Sequence, residues 1–272
     1  MPVYQIVILM IAAGILFPFI GGPLLILATF KLKSPTRIVY FQPGTMALPL
    51  DVKQFVVPAC RQLVRLGFRP VAYFKLPNLV SNAESINVLL INEATSEGAM
   101  VNCLYADALI GTIKTKYVEF YTRFRDGVTV QTNNSKQLSA FTNAPDEHTI
   151  QFWDTQDVGE LYRRHVAISK ALGTGPRRNR LAEEFRDDVG DYLQEAVVRE
   201  PADYQVELGL LQRVKGGYTT TLKGAVLFTW KEMWPWKLFR KAARRSEARR
   251  WLDEIGDALD DDLPVDTLDF AD

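Results

Sequence analysis

The 272-residue sequence is poor in the residues that build metal sites and disulfide frameworks, since it has only two cysteines and two histidines. Cys60 and Cys103 are widely separated and lie among apolar residues, so they are interpreted as reduced core side chains. The absence of a CxxC pair and of a Cys/His cluster excludes a structural zinc module. Lysine and arginine total 32, as do aspartate and glutamate, so no excess of positive charge indicates a nucleic-acid binder.

The sequence also lacks the common catalytic and phosphate-binding motifs, namely GxSxG, HExxH, GxGxxG and the Walker loop. His165 lies in an apolar stripe at helical spacing, which favours a packed histidine over a catalytic base. His148 lies in a polar segment beside Asp146 and Glu147, which favours a surface loop over a catalytic dyad. No catalytic residue, metal or cofactor is therefore predicted.

A run without any charged residue opens the chain, at residues 3–30. A membrane-spanning helix needs about 20 apolar residues. No basic residue precedes the run, and it is longer than the roughly 7–15 residues of a signal-peptide core, so an uncleaved anchor is favoured over a signal peptide. Pro18 predicts a kink in this helix. Residues 1–37 are therefore predicted to be a transmembrane anchor with its basic flank.

Basic residues follow the run at Lys31, Lys33 and Arg37, which are interpreted as a stop-transfer flank. Because such residues stay in the cytoplasm, they predict an N-terminus outside and the rest of the chain inside. One amino-terminal span followed by a soluble remainder resembles uncharacterised bacterial single-pass membrane proteins. That resemblance implies the bacterial inner membrane as the location and implies no activity or site residue.

Residues 38–173 are predicted to form an α+β domain, in which helices cover one face of an antiparallel sheet of four to six strands. A helix is predicted over 51–66, either continuous or broken into two short helices at Pro58, with Gly67 as its stop. A further helix is predicted over 157–172, with Asp157 as its N-cap. Runs of β-branched and aromatic residues, bounded by Asn, Gly and Pro, predict strands at 69–76, 86–92, 99–106 and 117–124.

A hairpin is predicted over 117–133, around Arg125-Asp126-Gly127. A three-residue loop pairs Phe124 with Val128 and keeps the apolar residues of both strands on one face. It also places Gly127 at the left-handed bulge position. A two-residue loop mixes the faces, so the three-residue loop is predicted.

Residues 174–256 are predicted to be mostly helical with one hairpin. Apolar residues at helical spacing over 181–196 predict a long amphipathic helix that ends at Pro201. The string LGLLQRVKGGYTTTLKG, at 208–224, resembles the wing of a winged-helix module. That resemblance implies a hairpin followed by a helix. The segment before it is acidic and not basic, so nucleic acid is not an expected partner.

Aromatic and basic residues concentrate in residues 230–251, where four tryptophans lie. Tryptophan prefers the membrane–water interface, and a basic residue near an anionic leaflet gains about 1 kcal/mol. An amphipathic helix lying in the interface is therefore predicted, with packing on the domain as the alternative. The predicted membrane-interface residues are Trp230, Trp234, Trp236, Lys237, Arg240, Lys241, Arg244 and Arg245.

The last segment, 257–272, contains aspartates and no basic residue, which predicts a disordered acidic tail. Taken together, these features favour a membrane-anchored, non-enzymatic protein held at the inner leaflet, with the bilayer, anionic lipid headgroups and an unknown protein or ligand as partners. Two alternatives stay open. One is an enzyme at the membrane surface with His148 or His165 as its base, and the other is a membrane-tethered winged-helix regulator.

Overall fold

The structure, a computed structural model, describes residues 2–42, 44, 48–77, 83–108 and 111–261, without the side chains of 7–13, 15–16, 106–108, 111–113 and 257–261. The helices are α1 (Val3–Thr29), α2 (Leu50–Arg65), α3 (Val158–Leu172), α4 (Arg180–Glu183), α5 (Val189–Tyr192), α6 (Glu200–Glu207), α7 (Leu222–Glu232) and α8 (Trp236–Asp261), and a π-helical segment lies at Leu193–Arg199. The strands are β1 (Lys31–Lys33), β2 (Val39–Tyr40), β3 (Arg69–Pro77), β4 (Ala83–Asn92), β5 (Glu97–Ala108), β6 (Gly111–Arg123), β7 (Thr129–Asn133), β8 (Glu147–Gln151), β9 (Leu211–Val214) and β10 (Gly217–Thr220).

Strands β2 to β8 form one seven-stranded sheet in chain order. The mixed α+β class is therefore confirmed. Neighbouring strands run antiparallel except β7 and β8, which run parallel, so the expectation of a wholly antiparallel sheet is wrong. The chain leaves the end of β7 and returns to the start of β8 through residues 134–146, which a tight hairpin turn would not allow. His148 lies on β8, and its prediction as a loop residue is wrong.

The hairpin of β6 and β7 has the predicted register. The amide of Phe124 donates to the carbonyl of Val128 at 2.8 Å, and Thr122 pairs with Val130. Gly127 has a φ of +99°, which an L side chain rarely adopts. The three-residue loop is thus confirmed, and it keeps the apolar side chains of both strands on the same face.

The first face of this sheet carries the larger core, under α2, α3 and the carboxy-terminal half of α8. Phe120 and Leu161 are fully buried there, and Trp251 of α8 is only 8% exposed. The predicted N-cap of α3 is confirmed, since the Asp157 carboxylate accepts from the amide of Glu160 at 2.7 Å. The burial of Trp251 shows that the aromatic residues of 230–251 do not share one environment.

The second face of the sheet is also covered, by α4, α5 and the π-helical segment. Leu181, Tyr192 and Leu193 are buried there against Phe74 and other apolar residues of β3 and β4. The expectation that helices cover only one face is therefore wrong. The amphipathic pattern of 181–196 predicted its buried residues, but the surface they cover could not be read from spacing.

The predicted long helix is interrupted before its middle and continues beyond its predicted end. Arg186 and Asp187 have φ values of +49° and +64°, so the chain leaves helical geometry between α4 and α5. Pro201 does not end the helix, because the π-helical segment comes directly before it and the amide of Glu200 donates to Glu195. Proline lacks an N–H and crowds the carbonyl four residues earlier, so it disrupts a regular α-helix. The wider hydrogen-bond spacing of the π-helical segment before Pro201 allows the helix to continue through it.

A second sheet holds the hairpin predicted within 208–224. Strands β9 and β10 pair antiparallel, and Gly216 in their turn has a φ of +88°. Strand β1 adds to β10 as a third strand, and the Thr219 hydroxyl donates to the carbonyl of Phe30 at 3.1 Å. The sheet therefore ties the end of α1 to the beginning of α7.

The first and last helices of the chain can be compared with the predicted membrane anchor and the predicted disordered tail. Helix α1 is continuous over Val3–Thr29 and contains Pro18 and Pro23, and its kink stays a prediction. Among the described residues, which leave out the side chains of 7–13 and 15–16 within α1, no helix is found that is both long and apolar enough for a membrane crossing. Helix α8 includes 257–261, where disorder was expected, and 262–272 lie outside the described residues. The predicted domain boundaries remain predictions.

Candidate membrane-facing site

Helices α7 and α8 form a helical hairpin whose turn is the sequence Met233-Trp234-Pro235. Helix α7 begins where the Thr221 hydroxyl accepts from the amide of Gly224 at 3.0 Å. Gly224 lies so close to the residue before β9 that an added Cβ would be 1.9 Å from the Leu210 carbonyl oxygen. Helix α8 begins after the turn, where the amides of Leu238 and Phe239 donate to the Pro235 carbonyl. Thus α7 is fixed at its base and the turn is its far end.

Helix α7 runs antiparallel along the carboxy-terminal half of α1. The contacts come from three consecutive residues in the second half of α7. The ring of Phe30 lies 5.9 Å from Phe228. An added Cβ on Gly22 would lie 2.7 Å from the Thr229 methyl group. The Trp230 indole N–H donates to the Phe19 carbonyl at 3.3 Å. The close approach at a glycine shows that the two helices pack tightly.

The turn carries a group of large exposed apolar side chains, here named the aromatic tip. Trp234 is 75% exposed and Phe239 is 61% exposed. Single exposed apolar residues are normal, but a contiguous group is typical of an interaction surface. The aromatic tip consists of Trp230, Trp234, Trp236, Leu238 and Phe239. The three predicted interface tryptophans therefore lie together at one end of the helical hairpin.

The predicted basic residues of α8 divide between the tip and the sheet. Lys237 is at the tip, where it pairs with Glu232 at 2.8 Å, and Arg240 pairs with the same carboxylate at 3.2 Å. Lys241 is half-buried. Arg244 donates to the Thr149 carbonyl of β8 at 3.0 Å, while the Arg245 guanidinium lies 5.2 Å from the Trp153 ring centre.

The predicted stop-transfer residues lie just after the carboxy-terminal end of α1, whereas the aromatic tip contacts α1 near its middle, at Phe19. Lys31 and Lys33 are exposed on β1, and Arg37 is exposed just beyond it. Between Lys31 and Lys33, Leu32 is buried in the small core of β9, β10 and α7. Two groups of residues were predicted to lie at the membrane, namely the basic residues that follow the uncharged segment and the aromatic and basic residues of 230–245. In the structure these two groups are separated.

A polar cleft of about 370 Å³ lies beside the tip, between α7, α8 and the edge strand β8. It is here named the basic cleft, after its cations Lys231, Arg240 and Arg244, and it is also lined by His148 and Glu147. Lys231 donates to the Ala140 carbonyl at 3.0 Å, and burial with the nearby Arg240 charge lowers its pKa. Glu247 also lines the cleft and pairs with Arg244 at 2.8 Å, so the positive charge of the cleft is partly neutralised by its own carboxylates.

The second histidine is placed far from any such cleft. His165 is completely buried beneath the sheet, where its Nε2 contacts the Thr122 hydroxyl at 2.8 Å and its ring stacks on Phe120. Burial lowers its pKa to about 3, so the ring is neutral at physiological pH. This environment agrees with the interpretation of His165 as a packed residue.

A group of carboxylates on the second face of the sheet escaped sequence reasoning. Glu119 on β6 receives a hydrogen bond from the Asn133 amide at 3.4 Å, and burial, together with the Glu147 charge, raises its pKa to about 7. Tyr121, two residues along, is covered by Tyr192 of α5. Alternation along β6 places Glu119 and Tyr121 on the same face, but nothing local indicates that distant helices cover that face.

Comparison with known proteins gives no relative, since no family model, curated protein or solved structure matches the chain. Within the described residues, no group of three histidines, cysteines, aspartates or glutamates is placed to hold a metal ion. The aromatic tip and the basic cleft are therefore the two features from which a function can be argued.

Proposed function

We propose that this chain is a single-pass membrane protein of the bacterial inner membrane, with α1 as its anchor and the rest of the chain on the cytoplasmic side. The α+β part acts as a non-enzymatic binding unit for a protein or ligand, held close to the inner leaflet. The aromatic tip is the observation that carries the proposal. Three tryptophans and two further large apolar residues are exposed around the turn between α7 and α8, and one of them, Trp230, contacts the uncharged helix α1 at Phe19.

The chemistry of the tip fits the headgroup region of a bilayer. Tryptophan is enriched at membrane–water interfaces, and lysine and arginine favour an anionic leaflet. Lys237 and Lys241 follow the exposed Trp236 on α8, so apolar and cationic groups share one end of the helix. Anchoring by α1 adds a high local concentration of membrane, which makes even weak contacts by the tip effective.

Depth-dependent fluorescence quenching tests the contact of the tip with lipid. The full chain is reconstituted in vesicles containing anionic lipid brominated near the headgroup. We expect tryptophan emission to be quenched, with quenching reduced at least twofold in the double variant Trp234→Phe/Trp236→Phe. Trp153→Phe is the matched control, because Trp153 lies against Arg245 and away from the tip. Emission unaffected by brominated lipid in the wild type would overturn the tip contact.

Protease protection tests the anchor and its orientation. Protease added to intact spheroplasts should leave the chain whole, whereas protease added to inside-out vesicles should digest everything after α1. Extraction of the chain by alkaline carbonate would contradict an integral anchor. Digestion in intact spheroplasts would contradict the orientation while leaving the anchor in place.

A second candidate function is binding of an anionic ligand in the basic cleft. The observation in its favour is the convergence of Lys231, Arg240 and Arg244 on one space that His148 also lines. Titration with inorganic phosphate, followed by the shift in melting temperature, tests it. We expect stabilisation that Lys231→Gln reduces and that Lys223→Gln, at the base of α7, leaves unchanged. No shift at millimolar phosphate would remove this candidate. A catalytic role for His148 and the winged-helix regulator stay predictions.

A further inference from the structure

The contacts of α1 divide it into two halves with different surroundings. From Phe19 onward one face of the helix packs along α7, as shown by the contacts of Phe19 with Trp230 and of Gly22 with Thr229. Its other side is open, since Ile20, Leu24 and Leu25 are all more than half exposed. Before Phe19, the described positions are open, since Phe17 is 73% exposed and an added Cβ on Gly14 would meet nothing within 4 Å. The amino-terminal half therefore extends beyond the helical hairpin.

Charged groups lie at the level of Phe19. Lys231 and Glu232 directly follow Trp230, whose indole contacts the Phe19 carbonyl. Lys237 and Arg240 both pair with Glu232, and the loop carbonyl of Ala140 accepts from Lys231. Ionised side chains and irregular backbone are excluded from the lipid-exposed hydrocarbon of a bilayer. The hydrocarbon therefore has to end at or before Phe19.

We propose that only residues 3–18 of α1 cross the hydrocarbon, and that residues 19–29 stand outside it, docked on α7. This inference rests on the proposed membrane anchor and revises its extent, since the uncharged run continues to residue 30. The aromatic tip then lies at the inner membrane surface around the exit of α1. The end of α1 at Thr29 lies about 15 Å further along the helix axis, so Lys31, which follows it, is separated from that surface by more than a Debye length of about 8 Å.

The remaining span is short. About 16 residues of helix rise about 24 Å, against a hydrocarbon thickness of about 30 Å. A short span is accommodated when the bilayer thins locally and when residues at its ends sit in the interface. Tyr4, exposed near the amino terminus of α1, supplies an aromatic residue at the outer end, opposite the tryptophans at the inner end. The anchor is therefore matched to a thin region of membrane.

The accessibility of introduced cysteines distinguishes a span of residues 3–18 from a span that covers the whole uncharged segment, residues 3–30. Full-length variants Leu24→Cys and Leu25→Cys are treated with a membrane-impermeant maleimide in inside-out vesicles, with Lys33→Cys as the exposed control and Ile6→Cys as the membrane control. Native Cys60 and Cys103 are buried, and burial raises their pKa to about 12, so the unsubstituted chain gives a low background.

The inference predicts that Leu24→Cys and Leu25→Cys react within about threefold of the rate of Lys33→Cys, while Ile6→Cys is protected. Protection of both positions to the same degree as Ile6→Cys would place them in hydrocarbon and overturn the short span, while leaving the anchor intact. Rapid labelling of Ile6→Cys, with the chain released by carbonate, would overturn the anchor itself. Two adjacent positions are tested so that the result does not depend on a single variant, which could itself disturb the packing of α1 on α7.

Discussion

The core under α3 and the aromatic tip use the same kind of side chain in opposite surroundings. In the core, Phe68, Phe120 and Tyr162 are buried with ring centres 5.1–5.6 Å apart. At the tip, Trp234 and Phe239 are mostly exposed. Both regions are rich in aromatic residues, so composition alone does not separate them. The difference teaches that aromatic content does not by itself indicate burial, since it is the packing partners that decide which aromatic side chains leave the solvent.

The largest contrast is expected from removing one aromatic side chain in each region. Phe120→Ala should lower the free energy of unfolding by about 3–5 kcal/mol, because it leaves a cavity between Phe68 and Tyr162. Trp234→Ala should change it by less than about 0.5 kcal/mol. Denaturant unfolding of the full chain in mild detergent measures both. Equal losses would show that the tip is part of the core.

The histidine beneath the sheet makes the core sensitive to acid. The pKa of His165 is about 3 in the folded chain and about 6.5 in the unfolded chain, so only the unfolded state gains a proton between those values. Stability should therefore fall below pH 6.5, by about 1.4 kcal/mol per pH unit. His165→Gln should flatten this decline.

The matched control for that prediction is His148→Gln, since His148 is half-exposed on the edge strand. Melting temperatures between pH 7 and pH 4 provide the measurement. A decline that persists unchanged in His165→Gln would assign the acid sensitivity to other groups.

The covered polar face of the sheet should show the opposite pH dependence. The pKa of Glu119 is raised from 4.5 to about 7, so the folded state holds a proton that the unfolded state has lost over that range. Stability contributed by the protonated form is present below pH 4.5 and is lost as the pH rises to 7. Glu119→Gln should then stabilise the chain by about 1–3 kcal/mol at pH 8 and have little effect at pH 4.5.

Glu84→Gln is the matched control for the carboxylate, because Glu84 forms an exposed pair with Lys75 on the same sheet. Urea unfolding at the two pH values separates the variants. A gain in Glu119→Gln that is independent of pH would show that the carboxylate stays charged in the folded chain.

The smallest effect is expected at the loop of the β6–β7 hairpin. Gly127→Ala should cost about 1 kcal/mol, because a φ of +99° strains any residue with a Cβ. Nothing lies within 4 Å of the added Cβ, so the substitution causes no steric clash. Any loss of stability would therefore come from backbone strain alone. Gly14→Ala, in the open half of α1, is the comparison and should be neutral or slightly stabilising in detergent. A neutral Gly127→Ala would contradict the left-handed position of Gly127.

Local features were predictable because neighbouring residues decide them. The register of the β6–β7 hairpin, the N-cap at Asp157 and the hairpin within 208–224 all follow from turn residues and short-range periodicity. The candidate site was partly predictable, since the concentration of tryptophan between 230 and 251 is visible in the printed sequence. The sequence did not predict which of those tryptophans are exposed, because Trp251 lies in the same aromatic and basic segment and is nevertheless buried in the core.

Sequence by itself determined the uncharged run at 3–30, the α+β class and the position of the aromatic residues along the chain. Tertiary structure decided which residues that are distant in the sequence come into contact. Thr219 reaches Phe30, Trp230 reaches Phe19 and Arg244 reaches Thr149, all across long separations. Periodicity shows only that a face will be buried, not what will bury it, because an apolar face gains nearly the same free energy from any well-fitting partner. For that reason the covered face of Glu119 and the end of the proposed span emerged only from the folded chain.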